Sequence, residues 1–261
     1  MNNYSPQRFS TLPPVIKNLL IINGLFFLAT LSIGQVSGVD LVDVLGLHYP
    51  ASEYFRPYQF ITYMFMHGSF THIFFNMFAL WMFGNVLENI WGPKRFLAYY
   101  LITGVGAALT HMIVTYFRIL SVKEGLPQEL IDIVYAEGAT LIQNGRNYTD
   151  EGMGALNILI NTPTVGASGS VFGILLAFGM MFPNSLIYLY FFIPVKAKYF
   201  VIGYGLLELF SGVMDQPGDN VAHFAHLGGM VFGIGMIYYW QYKKNIHKYL
   251  SNFFGKDQDY I

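Results

Sequence analysis

A serine between glycines is the residue of this sequence best suited to covalent chemistry. Ser168 lies in the stretch TVGASGSVFG, within a long uncharged run. Gly166 and Gly169 would let other backbone approach it closely. The apolar run 168–182 would span only about 22 Å as a helix, which is less than the hydrocarbon thickness of a bilayer. Ser168 is therefore predicted to begin a helix that is recessed below the outer membrane surface, where free backbone N–H groups are available.

A histidine near the end of the chain could activate that serine. Taken alone, a serine in a membrane helix usually only hydrogen-bonds a carbonyl of the preceding turn. However, His226, Gly229 and Gly233 are spaced to share one helical face, so the face that presents the imidazole also permits close packing. If this face packs against the glycines of the serine helix, the two side chains come within hydrogen-bond distance. Neutral histidine is the usual base for a serine nucleophile.

A second histidine and an asparagine form a pair in the stretch HIFFN. His72 and Asn76 are four residues apart, so both point to the same side of a predicted helix. Such a pair could simply hydrogen-bond between helices, or it could donate to a developing oxyanion together with the backbone N–H of Ser168. Beside a serine and a histidine, the oxyanion role is favoured.

The other ionisable groups in apolar segments favour structural roles. Glu208 is expected to hydrogen-bond a neighbouring helix, and Glu88 to form a cap or an ion pair near the inner surface. No acid is obviously placed to orient His226, so the sequence predicts a serine–histidine dyad, with Phe172 packed under the imidazole ring. His223 is expected to be either an interfacial or a packing histidine. No metal is expected, because the two neighbouring histidines have no apparent third ligand and HExxH is absent.

Six apolar segments could position these residues within a membrane. The chain of 261 residues is 54% hydrophobic and only 11% charged, whereas soluble domains carry about 25% charged residues. About 20 apolar residues suffice to cross the hydrocarbon core as a helix. The predicted helices are 17–36, 66–90, 96–117, 168–182, 198–214 and 222–242. The predicted fold class is therefore all-α: a polytopic six-transmembrane-helix bundle at 17–242, with tails at 1–16 and 243–261.

The basic residues predict the orientation of this bundle. With the N-terminus inside, ten lysines and arginines lie in inner segments: Arg8, Lys17, Lys94, Arg95, Lys196, Lys198, Lys243, Lys244, Lys248 and Lys256. The outer segments then hold four: Arg56, Arg118, Lys123 and Arg146. Both termini are therefore expected in the cytoplasm.

One polar segment interrupts the apolar pattern, and the composition excludes some classes of function. The segment 118–162 is predicted to be an outer loop, with a short surface helix near 128–136. The chain has 0 cysteines, so disulfides and cysteine-ligated metals are excluded. Its net charge of −1 gives no indication of nucleic-acid binding. The sequence does not predict the oligomeric state.

Three motifs together resemble the rhomboid intramembrane serine proteases, over roughly 55–242. They are HGSFTHIFFN, GASG and AHLGGMVFG, and they occur in this order on the second, fourth and sixth predicted helices. The resemblance implies Ser168 as nucleophile and His226 as general base. It implies an oxyanion hole of His72, Asn76 and the serine N–H, with Gly166 in the same substrate-binding region. Two positions depart from the family pattern, which often has Trp before the arginine of FRPYQ and Tyr in place of Phe172.

The resemblance implies an enzyme that cleaves peptide bonds of single-span membrane proteins near the outer face. The expected partners are therefore transmembrane substrates and the lipid bilayer. No cofactor is expected, and the expected location is the inner membrane of a bacterium. The alternative is an inactive relative that binds membrane-protein clients. A transporter or channel would need a polar pathway or an internal repeat, and the sequence shows neither.

Overall fold

Helices form almost all of the regular structure of this chain. The computed structural model describes residues 9–189, 192–214 and 222–254. Its helices before the polar insert are α1 Pro14–Ser37, α2 Leu41–Leu45, α3 Gln59–Thr62, α4 Phe70–Ala79, α5 Asn85–Trp91 and α6 Pro93–Glu124. The later helices are α7 Gln128–Gln143, α8 Glu151–Asn161, α9 Ser168–Met181, α10 Ala197–Met214 and α11 His223–Phe254. A 3₁₀ turn, Tyr63–Phe65, follows α3, and a π turn, Leu80–Gly84, joins α4 to α5.

The predicted spans correspond to α1, the continuous run α4–α5, α6, α9, α10 and α11. Within the described residues, four helices are long and apolar enough to cross a membrane. These are Pro14–Gly34, Phe70–Trp91, Pro93–Glu124 and Ala197–Met214. The helix α9 is apolar but shorter, as the sequence predicted. The chain is thus a polytopic helical membrane bundle.

Apolar side chains cover the outside of this bundle. Leu25 on α1, Phe75 on α4 and Leu206 on α10 are each more than half exposed. A face of this kind is stable when it contacts lipid and costly when it contacts water. The exposed apolar surface therefore agrees with a membrane location.

Two helices run beyond their predicted ends. The third span was predicted to end at 117, but α6 continues to Glu124, because RILSVKE contains neither glycine nor proline before Gly125. The sixth span was predicted to end at 242, and α11 continues to Phe254. The predicted C-terminal tail is therefore helical in its first part, while 255–261 and, at the other terminus, 1–8 lie outside the described residues.

The polar insert folds into two helices with their own small core. The surface helix predicted near 128–136 is confirmed as the longer α7, whereas α8 was not predicted. Their apolar faces bury Val134, Leu156 and Ile160 against the end of α6. A buried asparagine of α8, Asn161, accepts a hydrogen bond from Ser52 at 2.8 Å and so ties the insert to the loop after α2.

The serine helix α9 lies at the centre of the bundle, and most of its residues are buried. The neighbouring α6 holds it with two buried hydrogen bonds. The hydroxyl of Tyr99 donates to the Gly173 carbonyl at 2.8 Å, and the hydroxyl of Ser170 donates to the Tyr100 carbonyl at 2.7 Å. These bonds fix the depth and rotation of α9.

One buried acid has the structural role that the sequence predicted for it. The carboxylate of Glu88 accepts the backbone N–H groups of Val15 at 2.9 Å and Ile16 at 2.8 Å. It therefore caps the first turn of α1, where unpaired N–H groups and the positive end of the helix dipole favour an anion.

A short hairpin follows α9 and was not predicted. Strands β1 Leu186–Leu189 and β2 Ile193–Lys196 pair antiparallel, with Leu186 opposite Lys196. The sequence LIYLYFFIPVK is rich in β-branched and aromatic residues, which favour strands. From the sequence, this segment is expected only to connect two spans on the inner side.

Candidate active site

The serine and the histidine predicted to react together are in contact. The hydroxyl Oγ of Ser168 lies 2.8 Å from Nε2 of His226. Ser168 is the first residue of α9 and is half-buried, while His226 lies in the first turn of α11 and is buried. The two side chains therefore meet where the helices begin.

Glycines explain how these two helices come so close. A Cβ built on Gly229 of α11 would overlap the carbonyl group of Gly169 on α9, so a larger residue does not fit. A Cβ on Gly173 would lie 3.1 Å from the Gly229 carbonyl oxygen. The predicted packing face is thus confirmed for Gly229. Gly233 differs from the prediction, because its nearest neighbour is the hydroxyl of Tyr99 on α6 rather than a glycine of α9.

The face of the imidazole ring is covered as predicted. The rings of Phe172 and His226 stack with centroids 4.2 Å apart and an angle of 6° between their planes. Phe172 lies one turn after Ser168 on α9, so the same helix supplies both the nucleophile and the support of the base. This contact restricts tilting of the imidazole out of its plane.

An acid contacts the base, and the expectation that none is placed there was wrong. Oε2 of Glu208, on α10, lies 2.8 Å from Nδ1 of His226. The same oxygen lies 2.7 Å from Nδ1 of His223. The predicted hydrogen bond from Glu208 to a neighbouring helix is therefore present, but its partners are the two histidines. The sequence did show Glu208 as a single carboxylate among the apolar residues of this helix. The direction in which that carboxylate points depends on the rotation of α10 about its axis.

The same three residues form a group that could hold a metal ion, which the sequence did not indicate. Glu208, His223 and His226 each offer one ligand atom, and these atoms lie within 4.8 Å of one another. A third ligand is thus available, contrary to the sequence analysis. The separations of 2.7 and 2.8 Å are those of N–H···O hydrogen bonds, whereas a metal would require both nitrogens to lose their protons. Hydrogen bonding accounts for this geometry without an ion.

The first predicted oxyanion donor, His72, lies beside the serine. A Cβ built on Gly166 would be 2.8 Å from His72 Nε2 and 3.5 Å from Ser168 Oγ, so both side chains border the same point. Gly166 has a φ of 129°, a conformation that residues with a Cβ rarely adopt. Its N–H donates to the Tyr63 carbonyl at 2.9 Å, which fixes the loop before α9. No pattern in the sequence indicated this role of Tyr63.

The second predicted donor, Asn76, is only partly available. Its amide Nδ2 donates to the His72 carbonyl one turn earlier on α4, at 2.9 Å. An amide nitrogen carries two hydrogens, so one remains for another acceptor. The structure therefore places His72 and Ser168 on either side of the same point, with Asn76 one turn further along α4.

Comparison with known protein families identifies the family of this chain. The rhomboid domain family matches residues 54–243, which is more than half of the chain. The chain belongs to the rhomboid family. The match contains every residue of the site described above, from Tyr63 to His226.

Several curated rhomboids are similar to this one. RHOMBOID-like protein 12, mitochondrial, of Arabidopsis thaliana is 29% identical over 177 residues, 67% of this chain and 44% of that protein. Rhomboid protein 1, mitochondrial, of Saccharomyces cerevisiae is 26% identical over 184 residues, 70% of this chain and 41% of that protein. Rhomboid protease AarA of Providencia stuartii is 29% identical over 184 residues, 65% of this chain and 51% of that protein. This rhomboid thus spans about half the length of these relatives or less.

Proposed function

We propose that this rhomboid is an intramembrane serine endopeptidase that cleaves single-span membrane proteins near the outer face of the bilayer. The observation that carries the proposal is the 2.8 Å contact between Ser168 Oγ and His226 Nε2 at the start of α9. A serine hydroxyl hydrogen-bonded to a neutral imidazole is the usual arrangement of an activated nucleophile. The half-buried Ser168 remains partly open to a substrate.

The proposed reaction has two acyl-transfer steps. Ser168 Oγ attacks the scissile carbonyl carbon while His226 Nε2 accepts the hydroxyl proton and then gives it to the departing amine. The negative oxygen of the tetrahedral intermediate is stabilised by the Ser168 N–H and by His72, with Asn76 as a further donor. Water, activated by the same histidine, then releases the acyl group from the serine.

The class of substrate follows from the physics of the bilayer. A transmembrane segment keeps its backbone hydrogen-bonded as a helix, because unpaired backbone groups are costly in hydrocarbon. The scissile bond has to leave that helix to reach Ser168. We therefore expect cleavage near glycine or other helix-destabilising residues at the outer end of a substrate helix.

The competing proposal is an inactive rhomboid that binds membrane-protein clients. Such a protein has no need of an activated serine, whereas Ser168 and His226 are both present and in contact. A fluorophosphonate probe separates the two functions, because it labels an activated serine and leaves an inactive one unmodified. The location that we propose is a bacterial inner membrane. The distribution of lysine and arginine supports an orientation with both termini in the cytoplasm.

The decisive experiment compares two serines of the same helix. The Ser168→Ala protein is expected to lose fluorophosphonate labelling and cleavage of single-span substrates, with a change in folding free energy within about 1 kcal/mol. Ser170→Ala is the matched control. It removes a buried hydrogen bond to the Tyr100 carbonyl and so costs about 1 kcal/mol of stability, yet it should still cleave. Normal cleavage by Ser168→Ala would refute the proposal.

A further inference from the structure

We infer that Glu208 is a positioning residue for the base: its carboxylate holds the His226 imidazole with Nδ1 protonated and with Nε2 free to accept the serine proton. This inference deepens the proposed protease function and rests on it. It replaces the two-residue arrangement expected from the sequence with a three-residue chain.

The two nitrogens of the His226 ring have different partners. His226 Nε2 lies 2.8 Å from Ser168 Oγ, and His226 Nδ1 lies 2.8 Å from Glu208 Oε2. An ionised carboxylate only accepts hydrogen bonds, so Nδ1 is the nitrogen that carries the hydrogen. A neutral imidazole has one such hydrogen, which leaves Nε2 as the acceptor that a serine nucleophile requires. The contact with Glu208 therefore selects the reactive tautomer.

A second donor keeps the acid in this role. Nδ1 of His223 lies 2.7 Å from the same oxygen of Glu208. An ionised Oε2 can accept a hydrogen bond from both nitrogens at once, whereas a protonated Oε2 would have to donate its one hydrogen to one of them. Glu208 and His226 are each only 8% exposed, so water competes little for these bonds.

The carboxylate also matches the charge that develops during the reaction. When His226 takes the proton of Ser168, the ring becomes an imidazolium. A fixed negative charge 2.8 Å from its other nitrogen stabilises that cation. Phe172 covers one face of the ring and restricts its tilting. The hydrogen bonds to Glu208 and Ser168 restrict its movement within the plane.

The rival explanation is that Glu208 only ties α10 to α11. Glu208 lies on α10, and both histidines lie on α11, so its hydrogen bonds do connect two helices. A tie of this kind would affect folding stability and leave the chemistry of each folded molecule unchanged. A positioning role would lower kcat and the rate of fluorophosphonate labelling while leaving KM nearly unchanged.

The test is Glu208→Gln with Glu88→Gln as a matched control. Both replace a buried carboxylate by an amide of the same size, and Glu88 caps α1, a helix that contributes no side chain to the site described above. We expect Glu208→Gln to lower kcat per folded molecule by up to about 10⁴-fold, the loss that follows when the acid of a serine–histidine–acid triad becomes an amide. Glu208→Asp keeps the charge and should recover part of that loss. Glu88→Gln should lower the melting temperature and keep the normal kcat.

Histidine tautomers give a second readout that needs no turnover. In protein labelled with ¹⁵N-histidine, the His226 signal, identified by its loss in His226→Ala, should show a protonated Nδ1 and an unprotonated Nε2. The opposite tautomer in the wild type would overturn the inference. This measurement does not depend on whether Glu208→Gln folds. A normal kcat in folded Glu208→Gln would overturn it too. If the wild type itself neither cleaves nor reacts with fluorophosphonate, the proposed function fails instead, and the tautomer still reports on Glu208.

Discussion

At the scale of single residues, the two proposed oxyanion donors on α4 differ in how freely they can act. His72 borders the space beside Gly166 and Ser168. Asn76 uses one amide hydrogen on the His72 carbonyl, 2.9 Å away, and has one left for the substrate. The intrahelical bond restricts the rotation of the amide, which would favour catalysis if the remaining hydrogen faces the developing negative charge.

Asn76→Ala tests whether that hydrogen is used in the reaction. Loss of one oxyanion donor typically lowers the rate by about 10²–10³-fold, so kcat per folded molecule should fall by this factor with little change in KM. Asn23→Ala is the control, since Asn23 makes the same type of bond to the Leu19 carbonyl on α1, at 2.7 Å. If both variants melt earlier and both keep a normal kcat, Asn76 has only a structural role.

The residues of the site differ in how well the sequence predicts them. Ser168 and His226 were predictable because glycines at helical spacing mark the faces on which two helices can approach. Phe172 followed from its position one turn after the serine. Glu208 was not predictable as a partner of His226, because α10 carries apolar residues around much of its surface. Such a helix has no strongly preferred rotation, and only the assembled bundle shows where its one carboxylate points.

At the scale of helices, the site depends on how closely α9 and α11 approach. In lipid, helices associate through close packing and not through removal of apolar surface from water, so small residues at the contact matter. Gly229 and Gly169 provide this contact by placing backbone directly on backbone. Any side chain at Gly229 would push the start of α11 outward and lengthen the contact between His226 and Ser168.

Gly229→Val is therefore expected to inactivate the protein and to lower its melting temperature, because its Cβ would overlap the carbonyl of Gly169. Gly235→Val, on the same helix, is the control. A Cβ there would meet no heavy atom of the described residues within 4 Å. Cleavage assays and thermal melts of the two variants test whether the close contact at Gly229 is required for activity and stability. Equal melting temperatures and equal activity would contradict the close contact between the helices.

The ends of helices were less predictable than their existence. A drop in hydropathy marks where a segment leaves the membrane, but a helix continues in water as long as its residues permit. For this reason α6 runs on to Glu124 and α11 to Phe254. The helix α8 was missed because its apolar residues serve a small core shared with α7, which exists only once both helices form.

At the scale of the whole molecule, two features mark opposite ends of the serine helix. The insert with α7 and α8 directly precedes the start of α9, and the hairpin of β1 and β2 directly follows its end. Ser168 therefore lies toward the side of the membrane that holds the insert. The orientation of the chain in the membrane decides on which side substrates would be cut. This orientation is predicted from the distribution of basic residues.

The absence of cysteine from the chain makes this orientation directly measurable. Glu137→Cys places a single thiol at an exposed position of α7, and Asn184→Cys places one at an exposed position before β1. The experiment uses intact cells in which a membrane-impermeant maleimide can reach the outer face of the inner membrane. The reagent should label Glu137→Cys in these cells, and it should label Asn184→Cys only after the cells are lysed. Ten basic residues inside against four outside favour this orientation. The reverse labelling pattern would place the insert and Ser168 toward the cytoplasm, and cleavage at the outer face would then be excluded.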